Sequence, residues 1–208
     1  MSRATSPVAR PPHAGFFGKI PSRGDFVRAR LSSAFVQAWD GWMRQVLPGS
    51  EAILGERWEE AWRATSPWHF ALPAGRCGPR GVAGVWLPSA DRVGRPWPLV
   101  IAAEGACAGE GFLDEAERLG RDVLALGLSP SLFAAGLDDL PVPGPAEASG
   151  PVEAPGRADA SVWWRAPAWW RAPACSRASS CATGEGGTGP TARDGLPDAA
   201  RFAAMLGP

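Results

Sequence analysis

The chain has 208 residues, 45% of them hydrophobic, and 21 basic side chains balance 21 acidic ones to a formal net charge of zero. That length supports one ordinary domain whose core needs neither disulfide nor metal, with residues left for a linker or tail. Charge balance removes any global field that would favour nucleic acid or an anionic membrane. Cys77, Cys107, Cys175 and Cys181 show no C-x2-C spacing, and His13 and His69 lie far apart, so neither a zinc site nor a redox pair is expected. Reduced cysteines, no stretch of ~18 apolar residues and a leader without an apolar h-region point to a cytoplasmic protein with no membrane insertion. Lys19 is the only lysine and tyrosine is absent, a bias that GC-rich coding explains.

Residues 1–14 read as a disordered leader, rich in Pro, Arg and Ala. Gly15–Pro21 is a short apolar strand candidate ended by proline, and Ser22-Arg23-Gly24-Asp25 is turn chemistry. From Ser33, the spacing of Phe35, Trp39, Trp42, Met43 and Val46 predicts a helix with Ser32 or Ser33 as cap and Pro48-Gly49 as its stop. A second helix is predicted from about Ser50 to Ala64, with Gly55 as a weak point inside it. Strands follow at Trp68–Leu72, Gly81–Leu87 and Trp97–Ala103, the last two apolar throughout as buried strands are.

Phe112–Leu128 carries a broad apolar stripe and predicts a helix, and Ser129–Leu140 a further short one. Residues 141–160 and 176–193 read as low-complexity insertions, the second of them mobile. Between them Trp163-Trp164-Arg165-Ala166-Pro167-Ala168 is repeated at once as Trp169-Trp170-Arg171-Ala172-Pro173-Ala174. The first copy is expected to pair as a strand and the second to sit at an edge or in a loop, where its tryptophans would form an exposed patch. A closing helix starts at Pro197 and runs to Leu206. Interleaved helices and strands make an α/β fold, a three-layer αβα sandwich around one mixed sheet.

Chemistry concentrates in two segments. Lys19 follows Gly18, but no phosphate-binding Gly-x-x-x-x-Gly-Lys pattern surrounds it, and a solvated lysine at a strand end is the plain expectation. Asp25 is suited to cap its turn or pair with Arg23 or Arg28. Asp91-Arg92-Val93-Gly94-Arg95 gathers charge in a second turn, where Asp91 can accept backbone N–H bonds and an arginine fork together. That segment serves either as a lock between two strands or as a surface on which Arg92 or Arg95 meets an acidic or phosphorylated partner. A hydrolase using Ser89 or Asp91 with His69 lacks the Gly-x-Ser-x-Gly elbow, and His69 between Trp68 and Phe70 reads as a core histidine. Trp39, Trp42, Trp58 and Trp62 sit at core helical spacing.

The run Gly15-Phe16-Phe17-Gly18-Lys19-Ile20-Pro21-Ser22-Arg23-Gly24-Asp25-Phe26-Val27 resembles the first signature of the TagF family of bacterial type VI secretion. The resemblance continues through Trp39-Asp40-x-Trp42, Ser66–Leu72, Gly84–Gly94-Arg95 with Pro98-Leu99, and Trp163-Trp164. Trp97 departs from the Phe or Tyr expected there, and the tandem hexapeptide exceeds the family's single Trp-Trp. The resemblance implies a domain over residues 15–208 with an αβα fold and no cofactor. It implies a cytoplasmic, non-enzymatic, post-translational repressor of type VI secretion, associated with the forkhead-associated scaffold protein. A structural or assembly component of the apparatus is the alternative. Lys19, Arg23, Asp25, Asp91, Arg92 and Arg95 are then the candidate partner-facing residues. Gly18, Pro21, Gly24, Trp39, Asp40, Pro88, Ser89, Gly94 and Pro98 are expected to hold the structure.

Overall fold

The computed structural model describes residues 13–105, 111–142, 161–164, 191–193 and 196–207. Seven strands form one sheet: β1 (Ala14–Gly18), β2 (Val27–Ala29), β3 (Trp68–Leu72), β4 (Val82–Leu87), β5 (Leu99–Glu104), β6 (Ser161–Trp164) and β7 (Thr191–Arg193). Their spatial order is β2-β1-β5-β4-β3-β6-β7. Every pairing is antiparallel, so the sheet is not mixed as the interleaving of helices and strands suggested. The short β3–β4 and β4–β5 connections are of the kind that joins antiparallel neighbours, whereas parallel ones need a long crossover.

Strand alternation sorts the core into two layers. Phe17, Phe70, Trp86, Val100 and Trp163 face one side, where α1 (Ser33–Leu54), α2 (Trp58–Ala64) and α5 (Ala199–Leu206) pack. Phe16, Val85, Leu87, Leu99 and Ile101 face the other, under α3 (Phe112–Leu126) and α4 (Pro130–Gly136). The αβα sandwich is therefore the architecture. The first layer is built from indoles: Trp39, Trp42, Trp58 and Trp62 are all buried, as their spacing predicts. Trp39 lies 5.1 Å from Phe70 and 5.0 Å from Trp42, ring to ring. The second layer is largely aliphatic.

Helix α1 does not stop at Pro48-Gly49; it continues to Leu54, with Pro48 inside. An internal proline removes a helix hydrogen bond and costs ~3 kcal/mol, so tertiary contacts must sustain the turns beyond it. Ser50 supplies one such contact: fully buried, it donates to the Leu47 carbonyl and accepts the Trp58 indole N–H, both at 2.8 Å. Gly49 supplies another, since a Cβ there would lie 2.5 Å from the Ala199 methyl of α5. Gly55 (φ +57°) ends α1, and a 3-10 turn over Gly55–Arg57 separates it from α2. The helix expected from Ser50 is thus only its last part, Trp58–Ala64.

At the C-terminal end Asp198, not Pro197, starts the helix: its Oδ1 accepts the Arg201 N–H at 2.9 Å. Pro197 lies just upstream, and its carbonyl accepts the Trp42 indole N–H at 2.7 Å. Trp163-Trp164 of the first hexapeptide pair with β3 in β6, as expected. The second copy, Trp169 to Ala174, lies outside the described residues, as do Cys107, Cys175 and Cys181. The stretch expected to be mobile over 176–193 ends in a paired strand, Thr191–Arg193. No helix among the described residues is long and apolar enough to cross a membrane.

Candidate functional site

The two signature segments leave the sheet at the same end and fold against each other. The first is the loop from Gly18 to Phe26, between β1 and β2; the second runs from Pro88 to Pro98, between β4 and β5. Because β1 pairs with β5, the start of one loop and the end of the other share one ladder. Gly18 is where they touch most closely. Its φ is +143°, and a Cβ there would lie 2.1 Å from the Pro98 carbonyl oxygen, so the position admits no side chain.

Asp91 is the centre of the junction. Its carboxylate accepts the amides of Val93 and Arg95 at 3.0 Å each, and the Arg95 Nε at 2.6 Å. Lys19 Nζ lies 3.0 Å from the same carboxylate, crossing from the first loop to the second. Burial works against ionising Asp91, but the Arg95 amide, the Lys19 ammonium, the Arg95 guanidinium and the Val93 amide together hold its carboxyl far below the usual carboxylate range. Lys19 is itself buried and stacks its ammonium over Phe26, 5.4 Å from the ring centre. The expected solvated lysine is therefore a buried partner of Asp91, and neither residue presents its charge to solvent. The two segments are distant in sequence, so only the fold makes this pair.

Other bonds complete the weld. Ser89 Oγ donates to the Lys19 carbonyl at 2.8 Å, and the Arg92 amide donates to the Arg23 carbonyl at 2.8 Å. Arg95 Nη2 donates to the Gly24 carbonyl at 2.7 Å, so one guanidinium ties Asp91 to the first loop. Gly94 (φ +86°) closes the Asp91 turn with its N–H on the Asp91 carbonyl. Ser22 Oγ donates to the Leu128 carbonyl, anchoring the first loop to the α3–α4 junction. Phe26 stacks on Phe17 and meets Trp97 edge-on at 5.0 Å.

The remaining expected residues divide clearly. Arg23, Asp25, Arg92 and Arg95 are exposed, and Pro21 sits exposed in its turn. Asp25 forms no ion pair with Arg23 or Arg28 among the described residues. Pro88 is partly exposed and Pro98 buried. Trp39 is wholly core, and Asp40, on the surface of α1, pairs with Arg44 at 2.6 Å. Val93 and Phe26, exposed apolar residues at the two loop tips (68% and 41%), were not singled out by the sequence; a lone apolar residue in a charged turn gives little signal.

A cleft of about 450 Å³ opens beside the second loop, lined by Trp58, Trp62, Pro88, Pro96, Glu51 and Glu59 among others. A neighbouring cleft over Trp97 and Pro48 shares Glu51, Trp58 and Pro96 with it. Ser89 borders the first cleft, but its hydroxyl is directed to the Lys19 carbonyl and Asp91 is occupied by four donors, so neither is arranged as a nucleophile with a base. His69 is on β3 beneath α3, where Nε2 lies 2.7 Å from Glu117. Burial opposes the charge on Glu117, but hydrogen bonds from His69 and Arg121 hold its carboxyl below the usual range. The buried Cys77 thiol is pushed up to about 12 by desolvation, which removes it as a nucleophile. Among the described residues no three His, Cys, Asp or Glu side chains gather to hold a metal.

Residues 15–137, which span both loops and the α1, α2, α3 and α4 helices, match the family model described as TagF N-terminal domain, type VI secretion system-associated. The chain is also similar to PA0076 from Pseudomonas aeruginosa PAO1, known from a crystal structure. The two share 28% identity over 93% of this chain and 94% of that one, with a TM-score of 0.71. No curated protein matches. A family match over more than half of the sequence, a span that includes the two loops welded at Asp91, makes this chain a member of the TagF family of type VI secretion-associated proteins.

Proposed function

We propose that the protein is a non-enzymatic cytoplasmic factor that restrains type VI secretion after translation, by binding a component of the activation machinery. The partner in this reading is the forkhead-associated scaffold protein of the system. Membership in a type VI secretion-associated family supports the general role. The observation that carries the binding mode is the welded loop pair. The signature residues build a rigid presented surface, and both serines of the two loops, Ser22 and Ser89, are engaged in that structure. A rigid surface binds without the entropy loss of ordering a loop.

The test is secretion of the tube protein by the native bacterium, with the gene deleted and then overexpressed. The reading predicts that secretion rises on deletion and falls on overexpression. Secretion lost on deletion would instead make the protein a structural or activating component.

A further inference from the structure

Seven arginines among the described residues pair with a carboxylate. Arg30, Arg44, Arg63, Arg95, Arg118 and Arg121 each meet a carboxylate at 3.0 Å or less. Arg23 and Arg92 do not: among the described residues neither guanidinium has a carboxylate or hydrogen-bond partner, and both are exposed. They are also neighbours by construction, because the Arg92 amide donates to the Arg23 carbonyl at 2.8 Å. One loop junction thus carries two exposed side chains of like charge, and an anion there would be attracted to both. Nearby, the Lys19 and Asp91 charges offset each other in the interior, and the exposed charges of the two loops are Arg23, Arg92 and Arg95 against one carboxylate, Asp25, an excess of positive charge.

The backbone decides which anion fits. Compact phosphate sites use a cradle of free backbone amides. In the turn from Asp91 to Arg95 all five are engaged. The amides of Asp91, Arg92, Val93, Gly94 and Arg95 donate, in turn, to the Arg95 carbonyl, the Arg23 carbonyl, Asp91 Oδ1, the Asp91 carbonyl and Asp91 Oδ1. Recognition by this turn therefore falls to side chains. Guanidinium forks match carboxylates in two-point geometry, and the exposed Val93 beside Arg92 offers an apolar contact.

We infer that Arg23 and Arg92, with Val93 beside them, form the recognition surface for an acidic segment of a protein partner, one carrying Asp or Glu side chains next to an apolar residue. The inference rests on the proposed binding role and specifies its chemistry.

The experiment is a fluorescence-anisotropy titration of the full chain with a labelled Gly-Asp-Glu-Leu-Asp-Glu-Gly peptide, run beside a phosphothreonine peptide of matched charge. Expected is saturable binding of the carboxylate peptide that weakens as salt is raised. It should be at least tenfold weaker in Arg23→Glu/Arg92→Glu and unchanged in the control Arg57→Glu, whose arginine is also exposed and unpaired but distant in sequence from both loops. Arg23→Ala/Arg92→Ala serves as a second variant, and circular dichroism melts confirm that each is folded. No binding of the carboxylate peptide, equal binding by the double variants, or tenfold preference for the phosphopeptide would overturn the inference. Co-precipitation with the scaffold protein separates the two proposals. If wild type captures the scaffold and a folded double variant captures it equally, the arginine surface is wrong and the binding role stands. If wild type captures none, the scaffold-binding role itself fails.

Discussion

The inner and outer sides of the two signature loops use the same residue types in opposite ways. Inside, the Asp91 carboxylate meets Lys19, Arg95 and two amides, and both the Lys19 and Asp91 side chains are nearly inaccessible. Outside, Arg23 and Arg92 stand in solvent without partners among the described residues. A buried charge must be satisfied where it lies, so the inner cluster is fixed by folding itself. An exposed charge costs little to leave unpaired, so the outer pair is free to serve a partner. Charge density in a sequence motif does not separate these roles; burial does.

The contrast is broken most severely at Gly18. Alanine there would combine a positive φ with a Cβ on the Pro98 carbonyl, and the expected loss exceeds ~3 kcal/mol, a drop in melting temperature on the order of 10 °C. A thermal melt within a few degrees of wild type would show that the loops can separate without harm. Next comes Asp91→Asn, which keeps an acceptor for the amides but leaves Lys19 buried without its counter-charge.

The same variant tests pH dependence. Asp91 has a folded-state pKa below its unfolded value. Its stabilising contribution is therefore present above the ordinary carboxylate range near ~4 and is lost as pH falls through the lower folded value. Urea midpoints measured from pH 7 down to pH 3 should fall more steeply at the acid end for wild type than for Asp91→Asn; parallel curves would contradict this.

Ser89→Ala removes only the bond to the Lys19 carbonyl and should cost ~1 kcal/mol by urea denaturation. The smallest effect on stability belongs to Arg23→Glu/Arg92→Glu, within ~0.5 kcal/mol of wild type, because both side chains are solvated. That variant sharpens the comparison, since its binding defect should be large while its melt is unchanged.

Much of the fold was legible because burial writes itself into spacing. Phe35, Trp39, Trp42, Met43 and Val46 repeat at helical intervals, and all are buried on the sheet. The apolar runs of β4 and β5 are buried at every position, as continuous hydrophobicity implies. What was not legible depends on distant partners. The turns of α1 beyond Pro48 are held by Ser50, Trp58 and α5, and local propensity cannot register those contacts. Strand β2 is three residues long with charged neighbours and gives no periodic signal. At the site, the donors to Asp91 from its own turn were foreseeable from the local sequence. The burial of Lys19 was not, because its partner lies on a different strand connection. The exposed arginines look the same in sequence as the paired one, Arg95.

The most direct test replaces the chromosomal gene with one encoding Arg23→Glu/Arg92→Glu and measures secreted tube protein alongside the cellular level of the variant. If the outer side of the loops is what restrains secretion, secretion rises to that of the deletion strain while the variant accumulates, folded, at the wild-type level. Secretion held at the wild-type level by an equally abundant variant would contradict the account.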